Sequence, residues 1–139
     1  MNQLPLIFVS LVLIIATIID IREHKIPNWL TYPFIFSSFI WLSSETLSIL
    51  ILAIALWFLT SKFLGAGDIK LAAGIQIWSS QFNWSYEWWF YSLLAALLIS
   101  ILIFLNRAKR EGFKALYGIK IPMAPFMAFG FFYANRSFF

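Results

Sequence analysis

The sequence predicts an all-α fold, a polytopic membrane protein built as a six-transmembrane-helix bundle. Of its 139 residues, 62% are hydrophobic and 12% are charged, whereas a soluble domain of this length is about half apolar and about a quarter charged. Apolar stretches follow one another without a repeat, a low-complexity tract or a soluble linker. We therefore expect residues 1–139 to form a single integral-membrane domain.

The individual stretches are judged by the roughly 20 apolar residues that a spanning helix needs, within a range of about 17–25. The first has neither the positive region nor the cleavage site of a signal peptide, which indicates a retained span. The fourth contains Lys70 and Gln76 and carries the weakest signal. Short spans are expected to recruit loop residues or to be irregular where protein covers them. The predicted spans are residues 4–19, 26–42, 47–64, 68–84, 88–105 and 119–133.

The basic residues predict the orientation of these spans. The loops after the first, third and fifth spans contain or border nine of the ten Lys and Arg residues, and Arg136 follows the last span. The other two loops contain Glu45 and Glu87 and no cation. Because Lys and Arg concentrate in cytoplasmic loops, both termini are predicted to lie outside. Omitting the fourth span would place the basic segment 107–120 opposite the first basic loop, so the charge pattern disfavours five spans.

Composition also excludes several functions. The chain has no cysteine and a single histidine, which excludes disulfides, thiolate metal sites and sites with several histidines. The formal net charge of +4 is explained by orientation and by contact with anionic lipids, and no nucleic-acid-reading motif accompanies it. We expect no metal, no organic cofactor and no nucleic acid partner.

Two aspartates are predicted to meet at one membrane face. Asp20 lies where the first span reaches the cytoplasmic side, and the next two spans return the chain so that Asp68 begins the fourth span on that side. Ionisable groups at membrane segments are costly, and they indicate a functional site by default. Two such acids can share one proton and activate a water between them. Gly65 and Gly67 would allow the backbones to approach closely.

The same residues could also have purely structural roles. Asp68 could be the N-cap of a helix, which is a frequent use of aspartate. Asp20 could be an interfacial residue paired with Arg22 or Lys25. The Gly-Ala-Gly sequence could serve only the packing of small residues between helices.

The chain resembles the type IV prepilin peptidases through three segments in order. DIREHKIPNWLT at residues 20–31 is similar to the segment around their first aspartate. GAGDIKL at residues 65–71 matches their GxGD signature and the lysine that commonly follows it. IPMAPFMAFG at residues 121–130 is similar to their late proline-phenylalanine segment, with alanine where glycine is frequent.

This resemblance implies an intramembrane aspartic endopeptidase of the bacterial inner membrane, with Asp20 and Asp68 as its catalytic aspartates. The implied partners are membrane lipids and prepilins or pseudopilins of type IV pili or type II secretion. These substrates carry an apolar helix and lose a short basic leader at the cytoplasmic face. Larger relatives also contain a cysteine-rich zinc-binding segment and N-methylate the product. This chain lacks that segment, so the resemblance gives no basis for expecting methylation.

Further residues are expected to shape the site or to bind substrate. Pro27 and Asn28 belong to the IPN sequence, which could simply begin a helix. Lys70 could be a snorkelling lysine, or it could receive an acidic residue of the substrate. Two other functions stay open: a catalytically silent pilin-binding scaffold, and a small proton-coupled transporter subunit in which the same acids relay protons.

Overall fold

The computed structural model describes residues 3–38, 44–60, 65–111 and 121–139, and within these residues it contains helices and no strand. A short 3-10 turn at Arg136–Phe138 ends the chain. The α-helices are α1 Leu4–Glu23, α2 Asn28–Ser38, α3 Ser44–Thr60, α4 Ala66–Phe82, α5 Trp88–Glu111 and α6 Ala124–Ala134. The predicted all-helical fold is confirmed. The basic residues Lys62, Lys114 and Lys120 lie outside the described residues.

Each of the six predicted stretches overlaps one of these helices, but the bounds differ. The first helix continues to Glu23 and the fifth to Glu111, because Arg, Lys and Glu are good helix formers even though they are not apolar. Helix α6 has 11 residues, a length of about 16 Å, which is less than the roughly 30 Å hydrocarbon core of a bilayer. Helix α2 has 11 residues up to Ser38, where the described residues stop. By length and composition, Leu4–Glu23 and Trp88–Asn106 could cross a membrane.

Two helices end through a residue in the left-handed region of backbone space. His24 follows α1 with φ of 50°, and its N–H donates to the carbonyl of Asp20 at 2.9 Å. Asn83 follows α4 with φ of 52°, and its N–H donates to the carbonyl of Ser79. Histidine and asparagine tolerate this conformation better than most residues other than glycine. Both ends therefore reverse the chain tightly without a glycine.

Small residues let the helices pack closely around α6 and α4. Helix α6 packs against α5 and α1, and α4 packs against α2 and α3. A methyl group on Gly130 of α6 would overlap the Ser92 hydroxyl and the Trp88 carbonyl of α5. Between α4 and α2, a methyl group on Gly74 of α4 would lie 2.5 Å from the ring of Phe34 in α2. These contacts fix where α4 and α6 lie relative to their neighbours.

A buried amide holds the end of α6 to the loop between α4 and α5. The Asn135 side chain is fully buried. Its oxygen accepts a hydrogen bond from the Ser85 N–H at 2.9 Å, and its nitrogen donates to the Phe131 carbonyl at the same distance. A buried polar group is stable only when it is hydrogen-bonded, and this one joins two distant parts of the chain.

Candidate active site

Asp20 lies on the face of α1 that packs into the protein. The buried residues Val9, Leu13 and Ala16 follow one another at intervals of three or four, which is the spacing of one helix face. Asp20 continues this series and is only 3% exposed. The helical period therefore buries this carboxylate, and a solvated pair with Arg22 or Lys25, both exposed, does not describe its surroundings.

The Asp20 carboxylate is anchored by the start of α6. Its Oδ2 accepts a hydrogen bond from the backbone N–H of Ala124 at 2.9 Å. Ala124 is the first residue of α6, where backbone N–H groups have no partner within the helix and the helix dipole favours a negative charge. This bond fixes the orientation of the carboxylate and joins residues 104 positions apart.

Asp68 lies in the first turn of α4. Gly65 occupies the N-cap position, and its carbonyl accepts from the N–H groups of Asp68 and Ile69. The alternative in which Asp68 is itself the N-cap is therefore wrong. Asp68 is half-buried and precedes the buried Leu71 and Ile75 at helical spacing. It thus lies on the same face of α4 as the residues that pack into the bundle.

The structure brings the two carboxylates together. Helix α1 contacts α4, and α6 contacts both of them. The carboxyl groups of Asp20 and Asp68 are close enough to interact electrostatically. The juxtaposition that membrane topology predicts between residues 48 positions apart is thus present in the fold.

Gly65 and Gly67 have different surroundings. A methyl group on Gly67 would lie 2.8 Å from the backbone oxygen of Ile26 and 2.9 Å from its Cβ. Only a residue without a side chain lets α4 approach the segment before α2 this closely. A methyl group on Gly65 would instead lie 3.0 Å from Oδ2 of Asp68. One glycine thus sets the position of α4, and the other leaves space for the carboxylate.

The IPN sequence and Lys70 join α2 to α4. The Pro27 carbonyl accepts from the N–H groups of Leu30 and Thr31, and so begins α2. Lys70 Nζ donates to Asn28 Oδ1 at 2.8 Å and to the Tyr32 hydroxyl at 3.1 Å. The ammonium group also lies 4.4 Å from the centre of the Tyr32 ring, within the range of a cation–π contact. Lys70 therefore connects two helices and does not simply extend into solvent.

Asp68 opens onto an apolar cavity between α3, α4, α5 and α6, with a volume of about 600 Å³. Its walls consist mainly of apolar side chains such as Leu52 and Met127, and they also include Gln76 and Trp88. Met123 lines the cavity as well and immediately precedes Ala124, the residue that holds Asp20. The cavity is therefore lined by Asp68 itself and, near Asp20, by the residue that precedes Ala124.

The sequence-based site lacks three groups that the structure adds. These are the Ala124 N–H, the Tyr32 hydroxyl and the Gln76–Trp88 pair. The late IPMAPF sequence pointed to the region of Ala124, but a backbone donor has no signature in composition. In the described residues, no cluster of three or more His, Cys, Asp or Glu side chains could hold a metal ion.

The fold and the site together define a helical protein with two neighbouring carboxylates, one of which, Asp68, lines an apolar cavity. The model of the type IV leader peptidase family matches residues 7–105, which is more than half of the chain and includes both aspartates. The chain belongs to this family, and it is a peptidase of the prepilin leader peptidase type. A comparison with curated proteins and a comparison with solved structures find no match.

The protein is a membrane protein. Its family is membrane-associated, and two of its helices are long and apolar enough to cross a bilayer. The outward side of α1 supports this conclusion, because Ile7, Leu11, Ile14 and Ile18 recur at helical spacing and are all exposed. An apolar stripe of this length is stable against lipid and unfavourable against water.

Proposed function

We propose that the protein is an intramembrane aspartic endopeptidase in which Asp20 and Asp68 form the catalytic pair. The observation that supports this most directly is the apposition of a buried, anchored carboxylate and a second carboxylate that lines a cavity. Two acids at one site cannot both ionise easily, and such a pair holds one shared proton. This is the protonation state that hydrolysis of an amide needs.

The proposed reaction uses one ionised and one protonated carboxyl group. The ionised group removes a proton from water, whose oxygen bonds to the scissile carbonyl carbon, while the protonated group donates its proton to the carbonyl oxygen. The carbon–nitrogen bond of the tetrahedral intermediate then breaks. The first carboxyl group gives its proton to the departing nitrogen, and the second recovers one from the re-forming carbonyl. The pair returns to its starting state without a metal or organic cofactor.

The proposed substrate is a prepilin or pseudopilin with a basic leader followed by an apolar helix. We place the protein in the bacterial inner membrane as a six-span protein, with the site at the cytoplasmic face. The charge distribution of the sequence supports this orientation. A helical amide is already hydrogen-bonded and shielded, so the substrate helix is expected to unwind around the bond that is cut.

The experiment compares cleavage of a candidate prepilin by the purified protein and by Asp20→Asn and Asp68→Asn. Each substitution removes a proton carrier and keeps the size of the side chain, so kcat should fall by roughly 10²–10⁴-fold. Glu23→Gln is the matched control, because it neutralises an exposed carboxylate at the end of the same helix as Asp20. It should leave cleavage unchanged.

The alternatives predict other results in the same experiment. Full cleavage by both aspartate variants would falsify the catalytic pair. A wild-type protein that binds the prepilin without cutting it would indicate a scaffold. Aspartate-dependent, pH-driven flux without proteolysis would indicate a transporter subunit.

A further inference from the structure

The cavity beside Asp68 contains a second polar group that the proposed hydrolysis does not use. Gln76 lies on α4, and its Oε1 accepts a hydrogen bond from the indole N–H of Trp88 at 3.1 Å. Both residues line the cavity. Ser92 also lines it, but its hydroxyl is bound to the Trp88 carbonyl at 2.6 Å within α5. Gln76 is therefore the polar side chain of the cavity that is better placed to bind a ligand.

The Trp88 bond determines which end of the Gln76 amide stays available. An indole N–H can only donate, so the amide oxygen must face Trp88 and the NH₂ group must point elsewhere. Among the residues that the structure describes, none accepts a hydrogen bond from that NH₂ group. Trp88 is itself almost fully buried, which holds the indole in place. The pair thus provides oriented hydrogen-bond donors at a mostly apolar surface.

The spacing of Gln76 from Asp68 corresponds to a short piece of peptide. The two residues are eight positions apart on one helix, about 12 Å at 1.5 Å per residue. An extended chain rises about 3.3 Å per residue. With the scissile bond at Asp68, the residue that reaches Gln76 is therefore the third or fourth along an extended substrate.

We propose that Gln76 is a substrate-binding residue whose NH₂ group donates to a backbone carbonyl three or four residues after the scissile bond. Trp88 is the positioning residue that orients its amide. This inference rests on the proposed function, since it places the cut bond at Asp68 and the apolar part of the substrate in the cavity. The segment after the cut is the part that continues into the membrane, and Gln76 lies on that side of Asp68 along α4.

A peptide fits these groups better than a lipid tail does. An acyl chain offers no acceptor to the Gln76 amide and would leave its donors buried without a partner. An unwound peptide has carbonyl groups that have lost their helical partners and that an apolar cavity cannot satisfy. The Gln76 donors and the exposed peptide carbonyl therefore satisfy each other.

The experiment uses synthetic peptides with a basic leader and an apolar segment, in which single backbone amides after the cut are replaced by esters. An ester carbonyl is a weaker acceptor than an amide. For the wild type, kcat/KM should fall about three- to tenfold when the ester weakens the third or fourth carbonyl, the size of one hydrogen bond. Esters elsewhere should have smaller effects.

Variants of Gln76 and Trp88 test whether the effect of ester replacement on kcat/KM depends on Gln76. Gln76→Met keeps an unbranched side chain without donors, and it should cut the all-amide peptide more slowly and lose the position-specific ester effect. Trp88→Phe keeps an aromatic ring and frees the amide to rotate, so the effect should shrink. Equal ester profiles in the wild type and Gln76→Met would overturn the proposal, as would unchanged kcat/KM of Gln76→Met for the all-amide peptide.

Binding of the same peptides to Asp20→Asn separates this inference from the proposed function. One outcome is that the wild type cuts no peptide, while esters still weaken peptide binding to Asp20→Asn in a Gln76-dependent way. In that case the subsite stands and the peptidase proposal fails. If cleavage occurs without that effect, the peptidase proposal stands and the subsite is rejected. If neither cleavage nor an ester-dependent change in affinity is observed, both proposals are rejected.

Discussion

At the scale of single residues, Gly65 and Gly67 offer a matched pair of substitutions. In Gly67→Ala the new methyl group meets the backbone of Ile26, which cannot move without shifting α4 or the start of α2. Overpacking of this kind costs about 1–3 kcal/mol. We expect thermal unfolding in detergent to show a clearly less stable protein with reduced peptidase activity.

Gly65→Ala should separate activity from stability. Among the described residues its methyl group meets only the Asp68 carboxylate, which can rotate away, and the backbone at Gly65, with φ of −64° and ψ of 139°, suits alanine. We expect a small change in stability together with slower cleavage. A Gly65→Ala protein that cleaves at the wild-type rate would show that the orientation of Asp68 tolerates this crowding.

The acidic residues of the site are predictable from the sequence, but the groups that hold them are not. Asp20 and Asp68 stand out because carboxylates are rare and costly in a chain this apolar. The Ala124 N–H leaves no such mark, because every residue except proline has a backbone donor. Its role depends on α6 beginning beside Asp20, and only the fold shows this.

At the scale of helices, the Lys70 contacts predict energetic coupling between α2 and α4. Asn28→Ala should destabilise the protein by about 1 kcal/mol, since it removes one partially exposed, charge-assisted hydrogen bond. Lys70→Met should cost at least as much, because it removes that bond together with the bond to the Tyr32 hydroxyl and the contact with the Tyr32 ring. Because the two changes remove the same bond, the double variant should cost about 0.5–1 kcal/mol less than the sum. The free energies of unfolding of the wild type, the two single variants and the double variant measure this coupling. If the two single losses are strictly additive in the double variant, the Lys70–Asn28 hydrogen bond is contradicted.

The same residue also tests the alternative in which Lys70 receives an acidic residue of the substrate. If that contact controls cleavage, the loss of activity in Lys70→Glu should be partly restored by a substrate with the opposite charge. The internal partners Asn28 and Tyr32 predict no restoration, because the glutamate repels the Asn28 oxygen in every complex. Tyr32→Phe, which keeps the ring and removes one acceptor, is the milder control.

The existence of the helices follows from the sequence more reliably than their ends do. Hydropathy finds the apolar stretches, but it cannot tell where the chain stops being helical. Residues 121–123 are as apolar as α6, yet Pro122 has no backbone N–H to donate and disfavours a helical conformation in Ile121, and α6 begins only at Ala124. Conversely, α1 runs past its apolar part to Glu23, where His24 ends it.

At the scale of the whole molecule, the proposed topology can be tested because the chain has no cysteine. Lys25→Cys places a thiol between α1 and α2, and Tyr86→Cys places one between α4 and α5. Both positions are exposed. Three helices separate them, so six spans put the two thiols on opposite sides of the membrane. A five-span chain in which α4 does not cross would put them on the same side.

We expect a membrane-impermeant maleimide to label Tyr86→Cys in intact spheroplasts and Lys25→Cys only after lysis. The cysteine-free parent provides the background, and retained cleavage shows that each variant is folded. Labelling of both thiols from one side would reject the six-span arrangement. Lys25 lies five residues after Asp20, so protection of its thiol until lysis would also place the carboxylate pair near the cytoplasmic face, where a leader that never crosses the membrane could reach it.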